Sequence, residues 1–331
     1  MADEQGRGGK VRGPVMTAPA LQAAHGLAGA IAFHDSELGG PVAHLSSAHG
    51  TALVALQGAQ VLSYVPRGGT EVLWLSPMAR LGTAKAVRGG IPVCWPWFGP
   101  HPTDPRQPAH GLVRSLCWRV VETAVHGHAV RVRFVSTLET ATAGFPAGLS
   151  AQLDVTLGEE LALDLVTIND GDEAIELTQA LHTYLKVGDI GSVTVAGLHG
   201  RPYVDQLEPP GQRRGARKLQ TGLVVFEGEV DRIYATGDPI ATVLDPLLGR
   251  RIVVDTDGSA STVVWNPWIE KAARLGDVGP DGYRAFVCIE TANAGADVRT
   301  IQPGAAHRLT AMIHAATAAA SGAGGLNPEA S

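Results

Sequence analysis

A period of two runs through most of this chain. Leu153, Val155 and Leu157 alternate with Gln152, Asp154 and Thr156, and the alternation resumes at Leu161, Leu163 and Leu165 after Gly158-Glu159-Glu160. That is the pattern of two half-buried strands joined by a tight turn. Further strands are expected over 42–46, 52–65, 118–124, 129–139, 176–187, 192–197, 222–227, 240–244, 250–255, 261–265 and 284–291. Many short strands punctuated by Gly, Pro and Asp, with almost no long helical periodicity, predict an all-β fold built as a large antiparallel β-sandwich. A short helix over 21–33, weakened by Gly26 and Gly29, is the one exception. No internal repeat or linker interrupts the middle, so 21–316 reads as a single domain. The flanks differ: 1–20 and 317–331 hold too few large apolar residues to offset the entropy of ordering. A disordered N-terminal tail and a flexible C-terminal tail are expected.

Composition narrows the class. The 331 residues are 45% hydrophobic and 18% charged, which suits a globular chain with a sizeable core. Twenty-six Lys and Arg against 32 Asp and Glu give a net charge of −6, a poor match for a nucleic-acid or anionic-membrane binder. Cys94, Cys117 and Cys288 are far apart and form no CxxC pair, which argues against a disulfide framework or a structural zinc site. That cysteine usage makes a cytoplasmic protein the expectation; no apolar run approaches the ~18–20 residues of a membrane span, and the N-terminus reads as a tail and not as a signal peptide. His126 and His128 resemble a metal pair, yet Gly127 between them marks a hairpin turn, and no metal is expected. Neither a dinucleotide or Walker spacing nor a G-x-S-x-G elbow is present.

The stretch 86–118 stands apart, with six prolines and three tryptophans. A long irregular segment rich in aromatics is a candidate wall for an active site. Arg88 and Arg114 flank it, and a guanidinium offers a planar fork of donors for phosphate or sugar hydroxyls. In 178–187, Leu181, Thr183, Leu185 and Val187 share one face of a strand, and His182 shares the other with Tyr184 and Lys186. That second face reads equally as a solvated surface or as the setting of an acid/base histidine. In 284–294, Glu290 lies on the face of Phe286 and Cys288. It is either a solvent-facing edge residue or a buried carboxyl with a raised pKa. Asp231 reads as a sugar-hydroxyl acceptor or a turn cap. Trp95, Trp97, Phe98, Trp265 and Trp268 could stack on sugar rings or simply fill the core.

Taken in order, these segments resemble the hexose-6-phosphate mutarotase (glucose-6-phosphate 1-epimerase) family. The resemblance is carried by GAQVLSYVP from Gly58, VLWLSP from Val72, RGGIPVCWPWFGP from Arg88 and PAHGLVR from Pro108. It continues in LHTYLKVGDI from Leu181, VDRIY from Val230, WNPWIEKA from Trp265 and CIETAN from Cys288, and so spans about 40–312. It implies a galactose mutarotase-like supersandwich and an enzyme that interconverts the α and β anomers of a D-hexose 6-phosphate. By the same resemblance His182 matches the general acid that protonates the ring oxygen, and Glu290 the general base acting on the anomeric hydroxyl. Arg88 and Arg114 match phosphate-binding arginines, Asp231 a substrate-binding aspartate, and His110 a pocket residue. No cofactor is implied. The partner is a small-molecule sugar phosphate, with no nucleic acid or membrane, and the chain is expected to be monomeric. One departure is Ala109, where some members carry Gln, which leaves the reading of the sugar hydroxyls open. The competing readings are an aldose 1-epimerase for unphosphorylated sugars and a non-catalytic sugar-phosphate-binding module. A glycoside hydrolase is disfavoured because only one carboxylate stands out.

Overall fold

The computed structural model describes residues 16–209, 217–237 and 240–317. The leucine alternation folds as expected: β8 (Leu149–Leu157) and β9 (Leu161–Asn169) form a hairpin with Leu157 opposite Leu161. They lie inside an eight-stranded antiparallel sheet. On one side follow β7 (Ala129–Thr137) and β6 (Arg119–His126), joined through Gly127. On the other come β21 (Ala306–Thr317), β17 (Arg250–Asp257), β16 (Ala241–Asp245) and β12 (Thr194–Ala196).

The second large sheet has seven strands. Its order is β14 (Lys218–Leu219), β13 (Pro202–Asp205), β15 (Val230–Ala235), β18 (Ser261–Asn266), β19 (Phe286–Asn293), β11 (Gln179–Lys186) and β5 (Val93–Cys94). Buried residues of both sheets, among them Leu153, Leu163, Leu309, Ile313, Leu181, Val264 and Ile289, join one apolar cluster. A four-stranded meander, β1 (Ile31–Ser36), β2 (Gly40–Ser47), β3 (Gly50–Ala55) and β4 (Val61–Pro66), and the pair β10 (Ile175–Leu177) and β20 (Arg299–Ile301) complete the strands. The fold is thus the antiparallel sandwich that the period of two predicted.

Several local expectations are corrected. The helix expected over 21–33 is α1, Ala18–His25. It stops at Gly26, the chain reverses with Gly29 at φ 73°, and Ile31 already belongs to β1. Residues 18–20, assigned to a tail, open this helix, because Pro19 fits its first turn and Ala18 and Leu21 are buried. Residues 1–15 and 318–331 of the expected tails lie outside the described residues. The strand expected over 52–65 is split by a turn in which Gly58 and Ala59 both have positive φ. The stretch 222–227 is no strand: Val224 makes a single bridge to Val195, and Val225 is exposed.

Candidate active site

Strand register builds the centre of the site. In the pairing of β11 with β19, His182 lies directly opposite Glu290 and Tyr184 opposite Cys288. Opposed residues of neighbouring antiparallel strands have Cβ atoms ~4.5–5.5 Å apart, so register alone brings imidazole and carboxyl together. Nε2 of His182 is 3.3 Å from Oε1 of Glu290. The same register extends outward, with Trp265 opposite Cys288 and Asp231 opposite Trp265. Tyr184, Cys288, Trp265 and Asp231 therefore form one row across four strands, beside the row that holds His182 and Glu290.

This face is covered. His182 is 7% exposed and Glu290 1%, which decides between the two readings of each strand in favour of burial. The reason lies in the segment 86–118, which folds over β11. Cys94 pairs with Ala180, and the chain returns at Leu112, whose N–H donates to the Trp95 carbonyl at 2.8 Å. His110 has φ 64°, and its N–H donates to the Gly99 carbonyl at 2.7 Å. Its ring meets Phe98 edge-on at 5.0 Å and His182 at 5.7 Å. The His182 ring stacks on Tyr184 at 4.8 Å and meets Trp265 edge-on at 5.8 Å. Trp95 and Trp97, candidates for sugar stacking, are instead fully buried, with Trp95 Nε1 donating to Thr167 Oγ1 at 2.9 Å.

The two arginines reach the site differently. Nε of Arg88 donates to both carboxylate oxygens of Asp277, at 3.1 and 3.2 Å, and Nη1 donates to the Tyr184 hydroxyl at 3.0 Å. Arg114, half-buried, donates from Nη2 to the carbonyl of Ala109 at 2.6 Å and forms no ion pair among the described residues. Asp231, half-buried on β15, has Oδ2 3.5 Å from Nζ of Lys271. That lysine also bonds Glu229 Oε1 at 2.6 Å and lies over the Trp265 ring. It belongs to α2, Trp268–Leu275. The register thus brings together His182, Glu290 and Asp231, while the folded-over segment adds Arg88, His110 and Arg114. Sequence reasoning missed Asp277 and Lys271. Their only trace was a charge in or beside the WNPWIEKA run.

Burial dominates the electrostatics. It pushes the Glu290 pKa well above the usual carboxylate range, helped by the negative charge of Asp231 and opposed by Arg114. Burial likewise pushes His182 well below its ordinary value, reinforced by the neighbouring His110 imidazole and by the charges of Arg114 and Arg88. His110 is pushed down to about 3 by burial and the same two arginines. Both members of the central pair are driven toward their neutral forms, so they hold one proton between them. A pair with one proton offers a donor and an acceptor at the same place. In addition, Nδ1 of His182 and Oε2 of Glu290 are buried without a hydrogen-bond partner among the described residues. Such groups cost ~1–3 kcal/mol each in a finished core and are the capacity that a polar ligand would satisfy. Burial pushes the two thiols of the site toward their protonated form, Cys94 up to about 12 and Cys288 well above the usual thiol range, which disfavours either as a nucleophile.

Among the described residues, no group of three or more His, Cys, Asp and Glu could hold a metal ion, and no helix is long and apolar enough to cross a membrane. Known proteins share this chain's sequence and fold. The chain is 35% identical over 254 residues to a protein of Escherichia coli named "Putative glucose-6-phosphate 1-epimerase", covering 76% of this chain and 83% of that one. A crystal structure titled as a "putative mutarotase" from Salmonella typhimurium superposes with a TM-score of 0.78 at 29% identity, covering 88% of this chain and 96% of the other. A galactose mutarotase-like protein from Clostridium acetobutylicum shares the fold, with a TM-score of 0.66 at 13% identity over 87% and 98% of the two chains. The family model for aldose 1-epimerase matches residues 41–314, which take in the whole site, and the chain belongs to the aldose 1-epimerase family.

Proposed function

We propose that this enzyme interconverts the α and β anomers of a D-hexose 6-phosphate, with glucose 6-phosphate as the reference substrate. The observation that carries the reading is that Arg88 donates to the hydroxyl of Tyr184, on which the His182 ring stacks, and Arg114 donates to the carbonyl of Ala109, next to His110. The charges of Arg88 and Arg114 both act on His182 and His110, and Arg114 has no carboxylate partner among the described residues. A phosphate dianion suits such a pair of forks. The names of the relatives point the same way.

Anomerisation needs a proton delivered to the ring oxygen and another removed from the anomeric hydroxyl. In the ion-pair form of the central pair, His182 carries the proton and Glu290 is the base. Glu290 takes the proton of the anomeric hydroxyl as His182 protonates the ring oxygen, and the bond from C1 to the ring oxygen breaks. The aldehyde turns about C1–C2, and the reverse transfers close the ring on either face, so atoms and protons balance with no added reagent. Arg114 favours the carboxylate form of Glu290 while it and Arg88 disfavour the imidazolium of His182, so the ion pair is reached by moving the shared proton across the 3.3 Å contact. Holding both groups against one anomeric centre lowers the entropic cost of the paired transfers.

The test is anomer exchange measured by NMR or polarimetry on glucose 6-phosphate and on glucose. The wild type should accelerate the phosphate ester more than the free sugar. His182→Ala and Glu290→Gln should each lose ~10²–10⁴-fold in rate while calorimetry still shows binding. A wild-type rate on glucose 6-phosphate equal to that of buffer sinks the reading, and a preference for glucose removes its phosphate part.

A further inference from the structure

Helix α2 and the residues just beyond it meet both ends of the row beside the catalytic pair. Tyr184, Cys288, Trp265 and Asp231 lie on successive strands, so the row is three spacings of ~4.8 Å long. The eight residues of α2 measure ~12 Å at 1.5 Å per residue. Lys271 reaches the Asp231 end of the row, 3.5 Å from Oδ2. Asp277 reaches the Tyr184 end, where it shares Arg88 with the tyrosine hydroxyl.

The segment is itself pinned. Trp268 opens α2 at φ 54°, a strained conformation for a bulky residue. It is held by Asn266, whose Oδ1 accepts the Trp268 N–H at 2.9 Å and whose Nδ2 donates to the carbonyls of Tyr283 and Phe286. At the other end Gly276 takes the left-handed conformation that stops a helix, and the Ser76 hydroxyl donates to the Asp277 carbonyl at 2.6 Å. Strain that is kept in place by several hydrogen bonds marks a segment whose position matters.

We propose that Lys271 and Asp277 are positioning residues, Lys271 holding the Asp231 carboxylate and Asp277 the Arg88 guanidinium, so that α2 sets the distance between two substrate-contacting groups. The inference rests on reading Arg88 and Asp231 as contacts to the sugar phosphate. With Nε on Asp277 and Nη1 on Tyr184, the guanidinium plane is fixed by two neighbours. Lys271 is shared between Glu229 and Asp231 and lies over Trp265, so its ammonium is fixed from three sides.

The experiment is steady-state anomerisation of glucose, galactose and glucose 6-phosphate by the wild type, Asp277→Asn, Asp277→Glu, Lys271→Met and Lys271→Arg, each with its Tm. On the sugar that the wild type uses best, Asp277→Asn and Lys271→Met should each raise KM about 10-fold with kcat held within about 3-fold, a loss of binding and not of chemistry. Lys271→Arg, which keeps the charge, should recover most of the KM. Should Asp277→Asn fail to fold, Asp277→Glu replaces it with the same expected direction. Unchanged KM values, or kcat and Tm falling together with no KM effect, overturn the proposal. The wild-type preference between free and phosphorylated sugar is read in the same panel, so a failure of the phosphate reading shows separately. For a wild type inert on all three sugars, dissociation constants from calorimetry stand in for KM.

Discussion

At Glu290, burial and the neighbouring charge of Asp231 both favour the protonated carboxyl. The folded protein therefore retains a proton that the unfolded chain releases once pH passes the ordinary carboxylate value of 4.5. Where the folded state binds more protons, stability falls as pH rises, so this residue destabilises the fold progressively above that value. Glu290→Gln should raise the Tm by a few degrees at pH 8 and have little effect at pH 4, as thermal melts would show. With Glu290 as the proposed base, the same shift puts the acid limb of kcat/KM above the usual carboxylate range, because the base must be ionised to act. Asp231→Asn removes a charge that raises the Glu290 pKa and should move that limb to lower pH in a pH–rate profile. The sequence revealed the partners on each strand, since alternation is intrinsic to extended backbone: His182 with Tyr184, Glu290 with Cys288. It did not reveal what covers them. His182 and Glu290 looked as much like solvated residues as buried ones because their cover comes from residues about 70–200 positions away.

The central strand β21 shows the same limit for whole elements. Leu309, Ala311 and Ile313 alternate and are fully buried, yet the strand was not expected. Alanines supply much of its apolar face, so its alternation fades into the small-residue stretch that follows. Its place between β17 and β9 makes it structural. Ile313→Ala should cost ~2–5 kcal/mol, read as a lowered denaturant midpoint with an unchanged m-value. The irregular segment 86–118, in contrast, stood out in the sequence because its prolines and tryptophans break the period of two. Its packing has little tolerance: a Cβ on Gly111, at φ 79°, would lie 1.9 Å from the Trp95 carbonyl oxygen. Gly111→Ala should displace His110 and Arg114 and lower kcat/KM by ~10²-fold, since displacements near 1 Å at a site cost that much. Circular dichroism should show the sheet content retained.

For the molecule as a whole, a net charge of −6 means that an anionic substrate is attracted only locally. In the proposed complex two arginines act against a repulsive background, and salt screens charges over a Debye length of ~8–10 Å at ordinary ionic strength. The KM for glucose 6-phosphate should therefore rise steadily with added salt while that for glucose stays flat, a comparison that needs only the wild type. The direct opposition of His182 and Glu290 on β11 and β19 has a consequence for how such an enzyme can be altered. The pair proposed to move protons is specified by the register of two central strands. The groups proposed to read the sugar come from elsewhere: Arg88, His110 and Arg114 from the segment 86–118 and Asp231 from β15, with the α2 segment holding Arg88 and Asp231 in place. Chemistry and selectivity are thus inherited from separable stretches of chain. Grafting the segment corresponding to 86–118 together with β15 and α2 from one sandwich onto another should transplant a sugar preference while leaving the reaction intact.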